Sequence, residues 1–286
     1  MADATLLRGA PLAETTRGII AERTARLKEE GVEPRLAVVI ASADPAVAKY
    51  AEAKGRTAAK LGIALDVVHV DPADGQAALE RAVAGLSARA DIHGILLELP
   101  VDKPLDAEAA IALIDPKKDV DGLTAINLGL IAAGREKDAI APATPLACIR
   151  LAESATVLRG KRAAVVGRGR SVGRALIPML INRDVTVTVC HTKTPDLAAA
   201  IGPCELVFAA AGAPGLVTGS MLRPGQIVID AGISVVDGKV VGDVDAETAM
   251  PRVAALTPVP GGVGPLTSTL IFDNLMTAIA LQRGKE

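Results

Sequence analysis

Short apolar runs alternate with segments in which apolar residues recur every three or four positions, and this alternation starts twice along the chain. The run RLAVVIA (35–41) carries no charge after its first residue, as expected of a strand buried on both faces. Ahead of it, ETTRGIIAERTARLKEEGV (14–32) has helical spacing and Gly31 near its end, which predicts a helix. A helix carrying Tyr50 follows, then LDVVHV as a strand, GQAALERAVAGLSAR as a helix, the apolar run IHGILLELP and the helical LDAEAAIALI. This is β-α-β-α order. After DPKKDVDGL and the proline-punctuated IAPATPLACI, the pattern restarts with KRAAVVG (161–167), a glycine-rich turn, a helix and DVTVTVC (184–190). ELVFAAA (205–211) and GQIVIDAG (225–232) read as later strands, followed by the loop TPVPGGVGP and a terminal helix. The restart predicts two α/β units.

Composition narrows the core and the partners. The 286 residues have room for two domains; half of them are hydrophobic but only 1% are aromatic, with no Trp. The core must therefore be built from Ala, Val, Leu and Ile, which suits closely packed helices and parallel strands. A formal net charge of -2 provides no long-range field for nucleic acid or an anionic membrane, so small-molecule partners are expected. Cys148, Cys190 and Cys204 are far apart and form no C-x-x-C pair, which argues against a disulfide framework or structural zinc and fits a reducing cytoplasm. The segment MADATLLRGA has no long apolar core, and no apolar stretch approaches the ~20 residues of a spanning helix. A soluble protein is expected.

Gly167, Gly169 and Gly173 in VVGRGRSVGR follow an apolar strand and open a helix, the context of a dinucleotide site. The spacing is one residue longer than the usual fingerprint, so an ordinary strand–helix turn is the alternative. No acid closes the next strand to hold a ribose 2′-hydroxyl. TVTVC runs instead into HTKT, where Arg168, Thr192 and Lys193 could hold a 2′-phosphate. NADP is therefore expected over NAD, unless these cations are only solvated. His191 reads as a polar strand-end residue, and His69 and His93 as core or edge positions rather than metal ligands.

Tyr50, the only tyrosine, precedes Lys54 by four residues, so on a helix the two share a face. A surface lysine beside a partly buried tyrosine would look the same. Short-chain dehydrogenases also carry Y-x-x-x-K, but downstream of their glycines, whereas this pair lies upstream.

Further segments decide between these readings: GILLELP (94–100), KKDVDGL (117–123), PATPLACI (142–149), VVGRGRSVGR, VTVCHTKT and TPVPGGVGPLT (257–267). In this order and spacing they resemble the bifunctional methylenetetrahydrofolate dehydrogenase/methenyltetrahydrofolate cyclohydrolases of the FolD type, over nearly the whole chain. The resemblance implies an α/β homodimer with a folate cleft between a catalytic domain (1–143 with helix 266–286) and a Rossmann-type NADP-binding domain (144–265). It implies that Tyr50 borders the folate, that Lys54 is the cyclohydrolase lysine and that Asp121 binds the pterin amino and amide groups, since a carboxylate accepts two hydrogen bonds at once. Pro260, Gly261 and Gly262 would make backbone contacts to the substrate, and Ile233 would border the nicotinamide. No metal is implied.

The chain departs from the family pattern at Glu98 in LLELP, where glutamine is usual. A neutral amide can hold Lys54 without strongly favouring its charged form, but a carboxylate stabilises the ammonium. The expectation is a dehydrogenase whose cyclohydrolase step is weakened. The alternatives are a fully bifunctional enzyme in which Glu98 is protonated or acts as a base, and a non-catalytic folate- or nucleotide-binding relative. A shikimate-type dehydrogenase is a further alternative, opposed by KDVDG and PVPGGVGP. Gly169 replaces a common serine, Thr192 stands where serine is frequent, and Ala143 stands where cysteine is frequent.

Overall fold

Continuous apolar runs with few aromatics become short parallel strands covered on both sides by aliphatic helices. In the computed structural model, which describes residues 4–284, the chain opens with β1 (Thr5–Leu6) and α1 (Gly9–Glu29). It then alternates through β2 (Arg35–Ile40), α2 (Pro45–Leu61), β3 (Ala64–His69), α3 (Gln76–Ala88) and β4 (Gly94–Leu97). Short helices α4 (Ala107–Ile111) and α5 (Ala125–Ala132) lead to α6 (Ala143–Glu153). The second alternation runs β5 (Arg162–Val166), α7 (Gly173–Ile181), β6 (Thr186–Cys190), α8 (Leu197–Ile201), β7 (Leu206–Ala209) and β8 (Ile227–Asp230). A hairpin of β9 (Ser234–Val236) and β10 (Lys239–Val241), then α9 (Ala246–Ala249), β11 (Ala255–Leu256) and α10 (Val263–Gln282) complete the chain.

Two units result. One holds Thr15–Ala141 with the chain from Ile271 on; the other holds Pro142–Leu270 with the chain up to Glu14. The first is built on a parallel sheet of order β3-β2-β4. Ala37 and Val39 of β2 join Leu79, Val83 and Leu86 of α3 in one core cluster. Each fully buried Val, Leu or Ile contributes roughly 1.5–3 kcal/mol relative to exposure, so a core without large rings still suffices. Gly94 lacks a side chain because Val120, Leu275 and Leu36 fill the space where its Cβ would stand. The Asn274 amide donates to the Val120 and Ala141 carbonyls, each at 2.8 Å, and so fixes the middle of α10 beside the KDVDG segment.

The second unit carries an all-parallel sheet of order β1-β11-β8-β7-β5-β6. Its cluster of small aliphatics includes Ala164, Val166, Val207, Ala209 and Val228. A boundary at 143/144 leaves the first residues with the catalytic half. In the structure β1 pairs with β11 through Thr5↔Ala255 and Leu6↔Leu256, and this backbone pairing takes them into the nucleotide half's sheet. Among the described residues no helix is long and apolar enough to cross a membrane.

Candidate active site and nucleotide pocket

In the first unit, α2 presents Tyr50 and Lys54 one turn apart. Glu98 lies just past β4, where its N–H donates to the Val39 carbonyl at 2.9 Å and continues the ladder. Lys54 Nζ donates to both carboxylate oxygens of Glu98, Oε1 at 2.8 Å and Oε2 at 2.9 Å. The two side chains are only 12% and 11% exposed. At this depth an ion pair is screened far less than a surface one. Tyr50 is 60% exposed, and its ring is open to a ligand.

The KKDVDG segment divides its labour. Lys118 is buried and donates to the Ser87 and Arg89 carbonyls at 2.8 and 2.7 Å. Asp119, also buried, accepts from the Thr124 N–H at 2.7 Å and the Asn127 amide at 3.0 Å. Gly122 at φ +69° donates its N–H back to the Asp119 carbonyl at 3.1 Å, closing a turn that glycine enters without a Cβ penalty. Asp121 is left free of structural duty: it is half-buried, and its carboxylate accepts no hydrogen bond among the described residues. Burial pushes its carboxyl up to about 7, and the charges of Asp119 and Glu98 push the same way while Lys54 pulls it down. Lys54, Glu98 and Asp121 therefore form one electrostatic group.

In the second unit, Gly167 ends β5 at φ +111°, and a Cβ there would overlap the Ala210 backbone. A Cβ on Gly173 would overlap the Gly167 carbonyl. Both glycines are thus required by the close turn. Gly169 is not, since a Cβ there meets nothing within 4 Å. Gly169, Ser171, Val172, Gly212, Gly232 and Ile233 help line a pocket of about 280 Å³. Ile233 is 65% exposed. Arg168, Thr192 and Lys193 are exposed and stand outside that lining. After β6 the turn is tied by the His191 N–H donating to Thr194 Oγ1 at 2.9 Å and the Lys193 N–H donating to His191 Nδ1 at 3.1 Å. His191 is thus a turn-holding residue. Pro260, Gly261 and Gly262 form a fixed turn rather than a loose connection: Gly262 donates to the Pro258 carbonyl at 2.7 Å and Gly9 to the Gly261 carbonyl at 3.0 Å.

Three acids were missed by sequence reasoning. Asp119, Asp230 and Asp243 are all buried; Asp230 and Asp243 bind backbone N–H groups, which carry no side-chain signal in a sequence, and Asp119 divides its acceptors between the Thr124 N–H and the Asn127 amide. The three free cysteines are buried, and burial pushes Cys148 up to about 12, so it is inert. Among the described residues no cluster of His, Cys, Asp and Glu could hold a metal ion.

Comparison with known proteins assigns both halves. Residues 7–121 match the family described as tetrahydrofolate dehydrogenase/cyclohydrolase, catalytic domain, and residues 142–283 its NAD(P)-binding domain. The Bifunctional protein FolD of Heliobacterium modesticaldum is 44% identical over 283 residues, covering 98% of either chain. The crystal structure of the bifunctional FolD enzyme of Campylobacter jejuni superposes with a TM-score of 0.92 at 35% identity, over 98% of this chain and 99% of that one. A Trypanosoma brucei methylenetetrahydrofolate dehydrogenase-cyclohydrolase, solved with NADP cofactor and inhibitor, gives 0.91 at 34% identity over 99% of each.

Proposed function

The chain belongs to the tetrahydrofolate dehydrogenase/cyclohydrolase family, and from that premise we propose that it oxidises methylene- to methenyltetrahydrofolate with NADP⁺ while Glu98 holds back the cyclohydrolase step. The protein is an enzyme of one-carbon folate chemistry, and NADP is its cofactor. The residues present fit that group. Gly167 and Gly173 hold the close turn between β5 and the start of α7, where a pyrophosphate would sit, and Arg168, Thr192 and Lys193 are exposed near an acid-free strand end, as a 2′-phosphate requires. Bound there, NADP⁺ supplies the hydride acceptor.

The chain's own contribution to oxidation is alignment. Adjacent nitrogen lone pairs of the folate stabilise the cation that forms, so no general acid is needed and positioning dominates. Asp121 accepts two hydrogen bonds from the pterin edge, and the exposed Tyr50 ring borders the substrate. Because Asp121 is pushed up to about 7, substrate affinity should fall as pH drops through that value and the acceptor is lost.

The hydrolytic step asks for more. Water must lose a proton as it attacks the methenyl carbon, and Lys54 is the base in reach only when its amine is neutral. The observation that carries the proposal is the contact of both Glu98 oxygens with Lys54 Nζ, at 2.8 and 2.9 Å, which sets a carboxylate rather than a neutral amide against the amine. The test is to assay NADPH formation and methenyl hydrolysis separately on the purified enzyme and on Glu98→Gln. The expected result is ordinary dehydrogenase turnover, slow hydrolysis, and a gain of about tenfold or more in hydrolysis on substitution, the scale of one hydrogen bond between charged groups removed. Full hydrolytic turnover in the unmodified enzyme, lost in Glu98→Gln, would instead make Glu98 a base. Family membership also carries the proposal of a homodimer, and the free cysteines carry that of a reducing cytoplasm. Light scattering at assay concentration tests the dimer, and a monomeric mass rejects it.

A further inference from the structure

Two buried carboxylates that the reaction does not use tie together the loops on one side of the nucleotide pocket. Asp230 ends β8 and Asp243 follows β10; they are 3% and 0% exposed. The Asp230 carboxylate accepts N–H groups of Gly232 at 2.9 Å and Asp243 at 3.1 Å on Oδ1, and of Val244 at 2.9 Å on Oδ2. Asp243 in turn accepts from Ala211 at 2.5 Å and Gly212 at 2.9 Å on Oδ2, and from Ala213 at 2.8 Å on Oδ1. Anchoring therefore runs from the end of β8, through 243–244, to the loop after β7. The seating is reciprocal. A Cβ on Gly242 would overlap the Asp230 carboxylate, and a Cβ on Gly232 would overlap that of Asp243.

The two anchored loops supply Ala210, Gly212, Ala231, Gly232 and Ile233 to the pocket wall. In a parallel sheet with β8-β7-β5-β6 as neighbours, a dinucleotide lays its pyrophosphate over the loop after β5. Its adenosine half then lies toward β6, leaving the β7 and β8 side for the nicotinamide. We infer that Asp243, seated on Asp230, is a positioning residue for the nicotinamide half of the cofactor, holding the backbone at 211–213 and 231–233 in the form that receives the ring. This rests on the placement of NADP in the pocket given above. A carboxylate is required at 243 because both of its oxygens accept; an amide, whichever way it is turned, must point its NH₂ at one or more N–H donors. Burial and the neighbouring Asp243 push Asp230 up to about 6 against the pull of its three N–H groups, which agrees with two acids packed at one point.

The test compares two ligands on the full-length chain by calorimetry: NADPH, which spans both halves, and adenosine 2′,5′-bisphosphate, which reaches only the β6 side. Asp243→Asn should weaken NADPH about tenfold or more, the scale of one charge-assisted hydrogen bond, and leave the bisphosphate within about twofold. Gly212→Ala gives a second probe that leaves both carboxylates in place. Its φ of +65° strains any side chain while nothing lies within 4 Å, so the loop is disturbed without a core clash, and NADPH alone should again weaken. If Asp243→Asn does not fold, Gly212→Ala decides the matter. Equal weakening of both ligands, or NADPH binding unchanged in a folded variant, overturns the inference. Binding of neither ligand by the unmodified chain overturns the pocket assignment beneath it.

Discussion

Each unit holds one acid that burial shifts strongly upward, and the two are bonded in opposite ways. Asp121 is pushed up to about 7 and Asp230 to about 6, both chiefly by burial. Yet Asp230 and Asp243 accept three backbone N–H groups each, whereas Asp121 accepts none among the described residues. A buried carboxylate with its acceptor capacity filled is architecture, because removing it orphans several donors. A half-buried one left without donors lowers stability and makes sense only with a partner the chain does not provide. Similar electrostatic shifts thus mark a scaffold in one unit and a binding group in the other, and hydrogen bonding separates the two.

The sharpest way to break this comparison is to neutralise one acid of each kind. Asp121→Asn should lower kcat/KM for methylenetetrahydrofolate roughly 10- to 100-fold, since the amide keeps one acceptor oxygen and loses one hydrogen bond to a charged group, worth about 1.5–3 kcal/mol. It should leave thermal stability unchanged or raised. Asp243→Asn should do the reverse for stability: a donor left facing an amide NH₂ costs about 1–3 kcal/mol, or a fall in Tm of roughly 2–10 °C for a unit of this size. Calorimetric melting of both variants beside the parent settles the pair. A large loss of Tm in Asp121→Asn would show that its carboxylate has a structural partner after all.

Stability against pH sharpens the same point. The Asp121 carboxyl titrates near 3.8 when unfolded and about 7 when folded, so between those values the folded state holds the extra proton. Stability from this group therefore falls as pH rises through that window and levels off above it. Asp119 and Glu98 raise this pKa and Lys54 lowers it. Asp121→Asn should flatten the corresponding slope in Tm between about pH 4 and 7. A slope identical to the parent's would place the titration elsewhere.

How much of this was legible depended on where each signal is stored. RLAVVIA became β2 and KRAAVVG contained β5 because a strand buried on both faces is written in its own residues. The pairing of Thr5–Leu6 with Ala255–Leu256 was invisible, since two residues carry no period and the partner lies at the other end of the chain. The hairpin β9–β10 was missed too: Val235 and Val240 are exposed there rather than alternating with a core face. IAPATPLACI read as a proline-punctuated connection between the two alternations, yet its second half opens α6 with Pro145 near the start, where proline is tolerated. At the site, helical spacing placed Tyr50 and Lys54 on one face. Glu98 is 44 residues from Lys54, and no local rule joins them; family resemblance supplied that link. Neither route reached Asp230 and Asp243, whose partners are main-chain groups common to every sequence.

The smallest expected effect concerns Gly169, and it separates glycines required by the fold from one that is not. Gly167 and Gly173 cannot gain a Cβ without meeting backbone, while Gly169 faces open space. Its φ lies outside the positive region that strains side chains. A serine there should fold normally and place a hydroxyl beside the pocket that Gly169 lines, where a cofactor phosphate can accept its hydrogen bond. One such bond is worth about 0.5–1.5 kcal/mol, so Gly169→Ser should tighten NADPH roughly two- to tenfold with little change in Tm. Gly173→Ala, by contrast, should lose both stability and cofactor binding. If Gly169→Ser weakened NADPH, the phosphates would have to approach the loop backbone closely enough to need glycine there, and all three glycines would then belong to one class.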